Sequence, residues 1–241
     1  MADGGSGDGD VSSDKEGAAR VFVKPFVTGP DALKGFGAGA AATYGDKHGH
    51  LASPDVGSFK TPGQTTFFQL QTGTTMLDTV VADGRHWRAT GQAHWYTGPF
   101  GLLGEYVRSQ QHVRLGSQHE LAEFEAWQVL GQWVLTGERA SYKSVTPAQP
   151  FDPSKGQWGA FDVAARVGEI RVVDAGTLDE GFADPARSAR RAWSIGLGAD
   201  WFFNRSFRFV LDVDRTWYTR GATIGDRPSE TSIIGRVQAA F

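Results

Sequence analysis

From Trp193 to Phe203 the chain alternates without a break. Trp193, Ile195, Leu197, Ala199, Trp201 and Phe203 take the odd positions, while Ser194, Gly196, Gly198 and Asp200 take even ones beside Phe202. A period of two over eleven residues describes a strand whose two faces meet different surroundings, and it fits no helix. After Asn204 and Arg205 the pattern resumes. Phe207, Phe209, Leu211 and Val213 share one phase, with Arg208, Asp212, Asp214 and Thr216 on the other. The Asn-Arg dipeptide therefore reads as a hairpin turn. The last segment places Ile233, Val237, Ala239 and Phe241 opposite Arg236 and Gln238.

The same pattern recurs upstream. Phe161, Val163, Ala165 and Val167 oppose Asp162, Ala164, Arg166 and Gly168; Trp127, Val129 and Trp133 oppose Gln128 and Gln132; Trp87, Ala89, Ala93 and Trp95 oppose Arg88, Thr90, Gln92 and His94. Gly98-Pro99 turns the chain into a strand over 100–108, and earlier strands are expected at 19–27, 35–44 and 65–71. The count is about ten, or eleven if 75–82 pairs separately across an Asp83-Gly84 turn. No segment keeps a capped helical period. The fold class is all-β, an antiparallel meander.

The direction of the apolar face decides between two kinds of β protein. Trp and Phe gather near strand ends, with small and aliphatic residues between them. The other phase is glycine-rich and carries Arg88, Glu105, Asp162, Arg166, Arg208, Asp212 and Arg236 in mid-strand. A dry core would not tolerate those charges, whereas a watery lumen does. The reading is an antiparallel transmembrane β-barrel with aromatic girdles. A soluble β-domain binding carbohydrate or lipid is the alternative.

Composition sharpens this by exclusion. The 241 residues contain 32 glycines and no cysteine, which removes disulfide scaffolds, cysteine nucleophiles and iron–sulfur sites. A net charge of -3 leaves no basic footprint for nucleic acid. No apolar run reaches the ~18 residues of a membrane helix, a test that says nothing about barrels. Residues 1–17 (MADGGSGDGDVSSDKEG) have almost nothing to bury and read as a disordered Gly/Asp-rich tail or loop, with the barrel at 18–241. They lack the basic start and apolar run of a secretion leader.

Several ordered strings resemble one family. Val81 to Arg88 (VADGRHWR), Gly98 to Val107 (GPFGLLGEYV), Gly137 to Lys143 (GERASYK), Gly156 to Arg166 (GQWGAFDVAAR), Gly196 to Asn204 (GLGADWFFN) and the terminal Phe241 resemble the phosphate-selective porin O and P family of Gram-negative outer membranes. The resemblance spans residues 18 to 241. It implies sixteen-stranded homotrimeric porins, so this chain reads as an N-terminally incomplete version, the C-terminal portion of such a barrel. It also implies an outer-membrane location, lipid and the barrel-assembly machinery as partners, and Phe241 as the assembly signal. The turns at Gly98-Pro99 and Asn204-Arg205 would then be periplasmic. Lys143 and Lys155 would stand at the inner mouth, on a long connection, 139–156.

The expected function is passive diffusion of small anions such as phosphate, without cofactor, metal or catalysis. The alternative within this fold is a barrel fragment with a structural role and no conduction of its own. Pore-lining cations expected from strand phase are Lys24, Arg88, Arg166, Arg208 and Arg236, since rings of Arg and Lys favour anions. Other motifs have blander explanations. Gly37-x-Gly39-x-x-Ala42 lies in an alternating strand with no helix after it, unlike a dinucleotide fingerprint. Asp8, Asp10 and Asp14 lack the glycine and glutamate of a calcium loop. His48 and His50 have no third ligand fixed nearby. Asp212 and Asp214 share a face but serve better as lumen charges than as an acid–base pair.

Overall fold

The computed structural model describes residues 14–239. Eleven strands carry the fold: β1 (Glu16–Val23), β2 (Phe36–His48), β3 (Ser58–Lys60), β4 (Thr66–Gln69), β5 (Val80–Thr97), β6 (Phe100–Leu115), β7 (Gln118–Val134), β8 (Ala160–Val172), β9 (Ala189–Phe202), β10 (Phe207–Arg220) and β11 (Glu230–Ala239). Nine of them form one antiparallel sheet in the order β1-β2-β5-β6-β7-β8-β9-β10-β11, and β3 and β4 form a separate hairpin. Among the described residues the sheet is open, with β1 and β11 as its edges. A single helical turn, α1 (Gly176–Asp179), and a 3₁₀ turn at Pro153–Lys155 complete the elements. The expected antiparallel meander is the observed one.

Register turns alternation into two surfaces. Trp193 pairs with Trp217, Leu197 with Val213, Ala199 with Leu211 and Trp201 with Phe209, so each odd position of β9 meets an odd position of β10. The same phase continues through Val163 and Val167 of β8, Val129 of β7, Leu102 of β6, Ala93 of β5 and Ala38 to Ala42 of β2. Aromatic side chains bound this face at both ends. Phe36, Trp95, Phe100, Trp133, Phe161 and Trp201 form one belt; Tyr44, Trp87, Tyr106, Trp127, Trp193 and Trp217 form the other. Six to eight residues separate the belts along a strand, ~20 to 27 Å at the usual rise, which matches the apolar band of an outer-membrane barrel.

Charged residues return to the belted face toward and beyond the second belt, where they have partners. Arg171 donates to Glu125 at 2.6 Å, Arg191 is bound to Glu169, and Arg108 to Glu123. Arg215 stands over the Trp217 ring and donates to Thr231 and Ser229.

Four expectations are revised. Residues 75–82 do not pair across an Asp83-Gly84 turn, because both residues stay inside β5, bonded to His48 and Lys47 of β2, while the β6 ladder slips between Ala82 and His86. The D-G pair is a bulge with Gly84 at φ +117°, a conformation open to glycine. The segment 65–71 does form a strand, but it pairs with β3 and leaves the meander. The turn after β9 spans four residues, 203–206, held by the Asn204 carboxamide oxygen, which accepts from the backbone N–H groups of Ser206 and Phe207. β1 begins at Glu16, two residues inside the stretch read as tail.

Candidate functional site: the charged face of the sheet

The face opposite the belts has three zones. At its loop end, where connections 49–79, 173–188 and 221–229 lie, it is apolar and covered. The β3–β4 hairpin lays Phe59, Phe67 and Phe68 against Phe124 and Tyr218 of the sheet. Leu178 and Phe182 of the 173–188 connection pack into the same cluster, and Phe68 and Phe182 are fully buried. Glu230 latches the hairpin, accepting from the hydroxyls of Thr61, Thr65 and Tyr218 at 2.9–3.1 Å. A face that is polar throughout, as strand phase predicts, is therefore found only in mid-sheet. The loop end supplies Val113, Phe124, Ile170 and Val172 on that phase, and they need apolar partners.

The middle zone carries the ionic residues. Arg166 of β8 donates to Asp214 of β10 at 2.6 Å across β9. Gly196 makes that reach possible, since a Cβ there would lie 2.4 Å from the Asp214 carboxylate. Arg88 donates to Glu16 at 2.5 Å and to Thr43 at 3.0 Å. Arg208 is not in mid-strand as expected but at the turn-end start of β10 opposite Phe202, 3.7 Å from Asp200, and it donates twice to Gln238. Glu105 accepts from Gln128, and Asp162 from Gln132, both at 2.5 Å. Between hairpin and wall lies a cavity of about 430 Å³ whose polar lining includes Lys60, Thr61, Glu105, Gln128, Arg166 and Ser194.

The third zone is the turn end. Connection 135–159 folds over the sheet there, burying Ala140 and Val145 against Val134, Ala160 and Phe202. It brings Lys143 to a second cavity, about 400 Å³, together with Arg20, Phe22, Lys24, His94 and Tyr142. Phe22 stacks on His94 with centroids 5.5 Å apart, and His94 on Tyr142 at 5.6 Å.

The sequence-derived cations thus separate into groups. Arg88, Arg166 and Arg208 lie on the charged face, each beside a carboxylate. Lys24, Lys143 and Arg236 form no ion pair among the described residues; Lys24 and Lys143 share the turn-end cavity, while Arg236 lies on the edge strand β11 opposite Val210. Lys155 is tied locally to Asp152 at 2.7 Å. Asp152 also caps the 3₁₀ turn, and the Lys155 and Ser154 hydrogen bonds hold its carboxyl below the usual value. Phe241 lies outside the described residues, as do Asp8 and Asp10. Sequence reasoning missed Arg20 and Lys60. Arg20 shares the phase of Lys24, so alternation contained the signal; Lys60 comes from the inserted hairpin, which alternation does not locate.

Gly37 and Gly39 lie within β2 on the charged face, and His48 is held by the Asp14 carboxylate through its backbone N–H and Nδ1. Hydrogen bonding to His48 lowers the Asp14 pKa.

A sheet with one face apolar between two aromatic belts and ionic residues in mid-strand on the other has the wall architecture of a porin. The chain belongs to the phosphate-selective porin O and P family, whose family model matches residues 36–241, from the first residue of β2 onward. A search of curated proteins found no match.

Proposed function

We propose that this chain forms wall of a passive outer-membrane channel that favours small anions. One observation carries the reading: the mid-sheet ionic residues occupy a single face, and between its belts the reverse of that face carries, among the described residues, no charge but Arg215, which lies against the Trp217 ring at the belt. A lipid-facing Arg near mid-membrane costs ~2–4 kcal/mol, so the charged face belongs toward water. Anion preference is assigned to Arg20, Lys24, Lys143 and Lys60, which form no ion pair among the described residues, more than to Arg88, Arg166 and Arg208. Phosphate is the anion named by the family. Lys60 and Arg166 line one cavity from opposite partners, hairpin and wall, and are the groups proposed to meet it.

The resemblance further supports a periplasmic position for the turn end, insertion by the barrel-assembly machinery through Phe241, and a homotrimer. The direct test is the reversal potential of the reconstituted chain in a salt gradient at low ionic strength, where the Debye length is ~30 Å. An anion-selective potential that moves toward cations in Lys24→Glu/Lys143→Glu supports the reading. A potential that the double variant leaves unmoved overturns the residue assignment.

A second reading is favoured by the open sheet. The exposed edges β1 and β11 carry backbone groups that lipid does not satisfy. Conduction then requires further strands or another chain at both edges. Insertion of the purified chain without any conductance would select this reading.

A further inference from the structure

The turn-end cavity has a chemistry that a bare inorganic ion does not use. Among the described residues its lining, which includes the cations Arg20, Lys24 and Lys143, holds no carboxylate, unlike the hairpin cavity with Glu105. Beside those cations stands a run of three stacked rings, Phe22, His94 and Tyr142, with Tyr96 tilted against His94 at 5.4 Å. The rings come from three separate places, β1, β5 and connection 135–159, so their meeting is a product of the fold. Two glycines make room for it. A Cβ on Gly37 would lie 2.7 Å from the Phe22 ring and 2.8 Å from His94 Nε2, and a Cβ on Gly39 2.7 Å from the Phe22 ring. At the open end of the stack Tyr142 is 64% exposed.

We propose that this cavity binds small organic anions that combine a flat ring with a phosphate or carboxylate group. The ring continues the stack on the open face of Tyr142, and the acidic group meets Lys143, Lys24 and Arg20. Stacking an arene on an aromatic face adds affinity that hydrated phosphate does not gain. The Arg20 guanidinium is suited to bidentate contact with a phosphate or carboxylate, and the two lysines act as point charges. The inference deepens the anion-channel reading, resting on it only in that the charged face must be open to water.

The test uses the full chain folded in detergent, with folding checked by heat-modifiable mobility, and calorimetric titration with phenyl phosphate and with inorganic phosphate. Phenyl phosphate should bind about tenfold more tightly, the size of one good stacking contact. Tyr142→Ala should bring the two within about threefold while leaving inorganic phosphate unaffected, and Tyr142→Phe should retain the preference. Lys143→Gln should weaken both. Equal affinity in the unaltered chain, absence of binding, or a preference that survives Tyr142→Ala overturns the proposal. The readout is binding and not current. An arene preference without anion-selective current would remove the channel reading alone, and selective current without the preference would remove this site alone.

Discussion

Both ends of the charged face are covered by a long connection, yet the two covers leave different interiors. At the loop end, 49–79 brings aromatic side chains onto a patch of sheet that is itself apolar, and Phe68 and Phe182 have no exposed surface. At the turn end, 135–159 buries Ala140, Val145 and Pro147 and leaves an open cavity lined with cations and rings. The difference lies in what each strand phase supplies. Val113, Phe124, Ile170 and Val172 demand apolar partners, whereas Arg20, Gln92 and His94 demand water or a ligand. One end of the face is therefore built as a plug and the other as a vestibule.

The largest expected effect tests the plug. Phe68→Ala should destabilise the folded chain by about 3–5 kcal/mol, as large-to-small changes of a fully buried Phe do. Val145→Ala at the other end, losing two buried methyl groups, should cost roughly 2 kcal/mol or less. Denaturant unfolding in detergent measures both, and equal costs would erase the distinction between the ends.

The zone between them is held by charge. Asp214→Asn should cost roughly 1–3 kcal/mol by withdrawing the main partner of Arg166. It should also raise anion preference, since Arg166 would then face the cavity uncancelled. Gly196→Ala should reproduce part of both effects, because its new methyl group occupies the path between the two side chains. If the reversal potential is the same in both variants as in the unaltered chain, Arg166 contributes nothing to selectivity even when freed.

At the vestibule, Lys24→Gln or Lys143→Gln should lower the anion-to-cation permeability ratio by about twofold to fivefold, the scale of one water-screened charge near the ion path. Arg88→Gln/Glu16→Gln together should do less, because the pair removed carries no net charge. A double variant that shifts selectivity as far as Lys24→Gln would reverse the division between compensated and uncompensated cations.

The smallest effect is at Lys155. The Asp152 carboxyl has its folded pKa lowered by the Lys155 hydrogen bond, so its contribution to folding is present above its unfolded pKa and is lost as pH falls through the lower folded value. Carboxyl-carbon NMR should find Asp152 titrating below an ordinary aspartate, and Lys155→Met should return it toward the usual value.

The strand phases, the two belts and the side on which Arg88, Arg166, Arg208 and Arg236 lie were all legible in the sequence. A period of two is local, and each residue's face follows from its neighbours two positions away. Asp83-Gly84 misled because the same dipeptide makes a hairpin turn or a bulge. Pairing with β2 decided between them, and that pairing joins residues far apart in the chain. Long-range placement likewise decided the rest. Arg166 and Asp214 are 48 residues apart and meet only because β9 between them offers a glycine. The β3–β4 hairpin lies over Phe124 and Tyr218 because its three phenylalanines find apolar partners there. Arg20, His94 and Lys143 converge on one cavity from three parts of the chain. Alternation says which face a side chain takes, but which other side chains share its place on that face depends on register and loop packing, and those are properties of the folded whole.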